Sequence, residues 1–128
     1  MEALVAALVF VYAAGTALAQ DPIKVAPNNF KVLLENDRVR VLEFRSKPGE
    51  KIGMHSHPAY ITYGISGSGK TKFTAADGTT RERETTVGAA TWRDPETHAS
   101  EYMGTGEVRV LLVELKGPTP KTGPTKKK

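Results

Sequence analysis

Gly49-Glu50-Lys51-Ile52-Gly53-Met54-His55-Ser56-His57 carries two of the three histidines in this 128-residue chain. On an extended strand, residues two apart point to the same side, so His55 and His57 present both rings to one face. The third histidine closes a second stretch about forty residues on, Gly88-Ala89-Ala90-Thr91-Trp92-Arg93-Asp94-Pro95-Glu96-Thr97-His98. Neutral imidazole is the commonest side-chain metal ligand. A histidine supplied by a later strand could complete a facial set of three nitrogens.

On either side of these histidines, between Phe30 and Leu115, no stretch follows a 3.6-residue period. Short runs of β-branched and aromatic residues alternate there with Gly, Pro, Asp and Ser, which predicts an all-β domain. Candidate strands run over 31–34, 39–45, 52–57, 61–66, 70–74, 79–85, 90–92, 97–103 and 108–115. Asp77-Gly78 predicts a hairpin with a tight type I′ turn, which needs positive φ at both central positions. Gly67-Ser68-Gly69 and Gly104-Thr105-Gly106 mark further turns, and Lys47-Pro48-Gly49 breaks the chain just before the first histidine pair. Eight or nine short antiparallel strands make a sandwich or a small closed barrel. The exposed edges or faces of such a fold favour a homodimer.

The two histidine stretches, Gly49 to His57 followed by Gly67 and Gly69, then Gly88 to His98 through Pro95, resemble the first and second motifs of the cupin superfamily. The resemblance covers most of residues 30–115. It implies a small β-barrel or jelly roll with a divalent metal inside it, held by His55, His57 and His98. The same resemblance implies a motif-one glutamate four or five positions after the histidine pair. This chain has Ile61 and Thr62 there, or Tyr60 if the loop is one residue shorter, and none is a carboxylate. Glu101, the nearest acid to His98, faces away from it on a regular strand.

Losing an anionic ligand raises the charge of a divalent complex from about +1 to about +2. At an effective dielectric near 20, one extra charge at roughly 4 Å is worth on the order of 4 kcal/mol to an incoming anion, before desolvation. The expected occupant is therefore a small anionic molecule. Three neutral nitrogens leave coordination positions for a substrate and dioxygen on iron, and also accept manganese, nickel, copper or zinc. Three-histidine cupins similar to this pattern include thiol dioxygenases and a diketone-cleaving oxygenase. The Met54-His55-Ser56-His57-Pro58 run also resembles small cupins assigned to β-alanine degradation. The function expected is that of a metal-binding cupin, an iron-dependent dioxygenase, with a non-catalytic binding module as the alternative.

Tyr60, Tyr63, Trp92 and Tyr102 lie within a few residues of the histidines and are candidates to line a pocket, Tyr63 and Tyr102 foremost by strand parity. Arg93 and Arg109 are candidates to grip a carboxylate through two parallel N–H bonds. Gly64-Ile65-Ser66-Gly67-Ser68 lacks the final glycine of a nucleophile elbow. No phosphate loop or dinucleotide fingerprint follows a strand and opens a helix.

The two ends read differently from the body. Residues 1–19 hold an apolar run ending in Ala17-Leu18-Ala19, which predicts a cleaved signal peptide with export to the periplasm or the medium and no stable membrane anchor afterwards. Its start carries Glu2 where a secretory segment usually carries Lys or Arg. The net charge of +4 comes from the tail, 116–128, with five lysines among prolines and glycines, which predicts disorder. Residues 20–115, the cupin-like domain, hold thirteen basic and thirteen acidic side chains, so no basic stripe for nucleic acid exists.

Overall fold

The computed structural model describes residues 20–117. The expected signal segment lies outside these residues, as does the tail from 118 onward. Lys116, read as the start of the tail, is still tied to the domain: its N–H donates to Arg38 O at 2.8 Å and its Nζ lies 2.6 Å from Glu35.

Nine strands form two sheets. They are β1 (Phe30–Glu35), β2 (Val39–Ser46), β3 (Lys51–His57), β4 (Tyr60–Ser66), β5 (Gly69–Ala75), β6 (Thr80–Thr85), β7 (Ala90–Arg93), β8 (Glu96–Tyr102) and β9 (Val108–Leu115). A five-stranded sheet has the order β1-β2-β9-β4-β7, and a four-stranded sheet has the order β3-β8-β5-β6. Every ladder between named strands is antiparallel. Each expected strand is present to within a residue or so at either end.

One helical turn, α1 (Pro22–Val25), precedes them and was not expected from the pattern. Asp21 caps it by accepting from the Ile23 N–H at 2.9 Å, and Pro22 enters the first turn, where its missing N–H costs nothing. Ile23 and Val25 pack on the buried cluster of Ala26, Phe30, Leu42, Ile52, Tyr60 and Leu112. Full burial of a side chain such as Leu42 contributes about 1.5–3 kcal/mol.

The hairpin at Asp77-Gly78 forms with a different turn. Among the described residues no non-glycine has positive φ, so Asp77 cannot occupy a type I′ position. Instead Gly78 N–H donates to Ala75 O and Ala75 N–H to Thr79 O, closing a three-residue loop with Gly78 at φ +87. Gly67 is required more strictly: at φ +78 its Cβ would sit 2.3 Å from Glu107 O, so any side chain would push β4 off the turn before β9.

Candidate metal centre

The sheets face each other across a cavity of about 140 Å³. His55 and His57 alternate onto the inner face of β3, and a register shift between Ile52 and His55 lets Ile52 share that face although it is three residues away. β8 runs antiparallel beside β3 with His98 directly opposite His55. All three histidines are buried, with ring centroids 4.8, 4.8 and 5.3 Å apart. One nitrogen from each lies within 4.8 Å of the other two, so the cluster could hold a metal ion.

Groups behind the rings fix their orientation. His55 Nδ1 lies 2.7 Å from Gly53 O, and His57 Nδ1 lies 2.8 Å from Glu114 Oε1. A carbonyl and a carboxylate both accept, so each Nδ1 carries the proton and each Nε2 keeps its lone pair. His98 Nδ1 is 3.3 Å from Glu96 Oε1 without hydrogen-bond geometry, and it is buried with no partner. A buried ring nitrogen left without a partner beside two rings held in the ligating tautomer suits a metal.

Burial also favours the neutral form of His55 and His98. It lowers His55, and it holds His98 at about 3 against the pull of Glu96, with the neighbouring imidazoles opposing a second charge. The carboxylates behind them stay ionised. Burial alone would raise Glu96, but hydrogen bonds from Arg83 and Tyr60 outweigh it and hold the group at about 2. Glu114 is likewise lowered, against its burial, by His57 and Arg40. Arg83 grips Glu96 through two bonds of 3.0 and 2.9 Å, and Arg40 bridges Glu114 and Asp21 at 2.7 and 2.6 Å.

The aromatic candidates separate. Tyr60 is buried on the cavity wall, its ring 4.6 Å from that of His57 and its hydroxyl donating to Glu96. Tyr63 and Trp92, 43% and 49% exposed, are on the outer face and do not line the cavity. The expected parity fails because the chain leaves β3 at Pro58, crosses to the other sheet and restarts at Tyr60, so Tyr60 and Thr62 face inward and Tyr63 outward. In β7 the inward residues are Thr91 and Arg93, which puts Trp92 outside, its Nε1 donating to Asp94 at 3.1 Å. Tyr102 is buried but plugs one end of the barrel, its hydroxyl bonded to Ser68 O and Gly106 O, away from the cavity. Of the arginines, Arg93 lines the cavity, whereas Arg109 pairs with Glu43 at 2.7 Å outside it.

Glu96 and Glu114 escaped the sequence reasoning, yet a signal existed. Glu96 is two residues before His98 and shares its face, and Glu114 is the single acid in the apolar alternation of β9. The slot after the histidine pair holds no carboxylate, and the two present lie behind the rings.

No family model matches the sequence, and no related sequence is found among curated proteins. Solved structures do match. A cupin domain from Bordetella pertussis Tohama I superposes with a TM-score of 0.62 at 24% identity, covering 69% of this chain and 92% of that one. The fold is a cupin fold. An RmlC-like cupin with a double-stranded β-helix fold from Methanocaldococcus jannaschii gives a TM-score of 0.53 at 12% identity, over 68% of this chain and 78% of that chain. The Fe(II)-HppE enzyme gives 0.51 at 10% identity, over 66% of this chain and 48% of that larger chain.

Proposed function

We propose that His55, His57 and His98 hold one divalent metal ion, iron in the first place, and that the cavity admits a small anionic molecule for metal-dependent oxidation by dioxygen. The observation that carries this reading is the set of three buried imidazoles, two locked with Nδ1 toward an oxygen acceptor. Iron in the structurally similar HppE supports testing that metal first. A bound ion would supply Lewis acidity and, as iron, redox chemistry with dioxygen. The chain's own residues do the rest. Glu114 and Gly53 O orient rings, Phe30, Phe44 and Phe73 exclude water from the cavity wall, and Tyr60 keeps its own proton while donating a hydrogen bond to the ionised Glu96. At about 140 Å³ the cavity falls below the ~300 Å³ that begins the range for drug-sized ligands, so the guest is small.

Elemental analysis of protein purified without chelator or affinity nickel tests the metal. Near one equivalent is expected in the wild type and almost none in His55→Ala/His57→Ala. A wild type that stays empty and resists reloading sinks the reading. The second reading, a binding barrel without turnover, is favoured by one observation: Glu96 and Glu114 are both committed to arginines, leaving neither as a general base. Oxygen uptake by the iron-loaded protein with thiols, diketones and amino acids separates the two.

We further infer that a second copy of the chain covers the outer face of the five-stranded sheet. Leu34, Val41, Val113, Ile61 and Trp92 form one apolar row there across all five strands. Beside it, Glu43 is neutralised by Arg45 and Arg109, so two copies can meet without like charges opposed.

A further inference from the structure

Resting on the metal reading above, we propose that Arg93 is the anion-binding residue of this cavity and that its ligand is a small carboxylate, gripped by the guanidinium fork at one end and reaching the three histidines with the other. Arg93 differs from every other arginine near the site. Arg40 and Arg83 point inward but each is already paired with carboxylates, Arg83 through both terminal nitrogens with only its Nε unpartnered, and Arg109 is paired outside. Among the described residues Arg93 makes no ion pair and no side-chain hydrogen bond, although it lines the cavity and is only partly exposed. Burial and the Arg83 cation both work against its charge, and no acid offsets them fully. A half-buried guanidinium in that position gains most from an anion brought to it.

Its placement selects the anion. Arg93 sits directly opposite Tyr60 across the β4–β7 ladder, and the Tyr60 ring lies beside that of His57. The fork and the metal-ligating ring therefore flank one aromatic side chain. Thr62 and Thr91, paired in the next row on the same face, add two hydroxyls to that wall. A planar fork matches the two oxygens of a carboxylate. The remaining wall sets Phe30, Phe44, Phe73, Val110 and Leu112, which suit a short organic body, beside hydroxyls such as Thr71 and Ser100.

Glycolate and its uncharged counterpart glycolamide provide the test, by calorimetric titration of the cobalt-loaded protein and of the metal-free protein. Wild type is expected to bind glycolate at least tenfold more tightly than glycolamide. Arg93→Gln should lose that preference while keeping its metal content, Arg93→Lys should retain part of it, and Arg109→Gln should keep all of it. Equal glycolate affinity in wild type and Arg93→Gln overturns the assignment, as does a wild type that binds no glycolate at millimolar concentration. A protein that takes up no cobalt sinks the metal reading alone. A charge preference in that metal-free protein, lost in Arg93→Gln, would still place the anion on Arg93.

Discussion

On the inner face of the five-stranded sheet, one row across the strands reads Arg40, Glu114, Tyr60 and Arg93, whereas the adjacent row on the outer face reads Val41, Val113, Ile61 and Trp92. A soluble sandwich usually has the opposite arrangement, apolar within and polar without. The inner row serves the site: Glu114 turns His57, Arg40 holds Glu114, and Tyr60 packs against the ring. Burying Arg40 and Glu114 is tolerated because they are paired with each other, which makes each sensitive to the loss of its partner. The outer row has no such duty, and its apolar character calls for a cover.

The largest effect should follow from unpairing the inner row. Glu114→Ala leaves Arg40 buried with Asp21 alone and removes the acceptor of His57, at a cost of about 3–5 kcal/mol. Val113→Ala, on the neighbouring residue of the same strand but facing outward, should cost no more than about 1.5 kcal/mol. Urea denaturation of both variants compares the two faces directly, and a larger loss for Val113→Ala would undo the contrast.

Acid should dismantle the inner side next. In the metal-free protein, Glu96 titrates at about 2 when folded against an ordinary 4.5, so its contribution is present above about 4.5 and is lost as pH falls toward 2. His98 acts in the same direction. The unfolded chain takes up a proton near 6.5 that the folded one refuses until about 3, so stability declines as pH drops through that range. The shift of Glu96 corresponds to about 3 kcal/mol. Melting temperatures measured from pH 7 to pH 2.5 should fall steadily, and Glu96→Gln should flatten the curve below pH 4.5 while leaving the His98 slope above it. A wild-type curve flat to pH 4 would contradict this.

The same inversion of faces explains what the sequence could and could not convey. Alternation along β3 was enough to put His55 and His57 on one face, because each strand is read within itself and one bulge leaves the pair intact; the pairing of β8 beside β3 brings His98 to that same face. Parity carried across Pro58 misplaced Tyr63, since the chain changes sheets there and the count restarts. Trp92 was drawn to the cavity by its chemistry, yet Thr91 and Arg93 take the inward positions. Period-two patterning says which residues share a face but not which face is inside. In the one row where the inner residues are charged and the outer ones apolar, hydrophobicity points the wrong way. For the same reason Glu114 went unremarked, although it is 2% exposed.

The smallest effect on the fold, and the sharpest check on the outer face, lies at Trp92, the single tryptophan of the chain. In one copy its side chain is half exposed, so an isolated monomer should emit with the red-shifted maximum of a solvated indole. If a second copy covers the row through Leu34, Val41, Val113 and Ile61, emission should shift to the blue as concentration rises, in step with a doubling of mass in size-exclusion chromatography. Trp92→Lys places a charge in the middle of that contact without touching the inner row. It should change the stability of the barrel by no more than about 0.5 kcal/mol, leave metal content intact and hold the protein as a monomer at concentrations where wild type is dimeric. A wild type that remains monomeric with unshifted emission at high concentration would mean that the outer row is simply tolerated in water. In that case only the inner row would have a functional reason for its unusual composition.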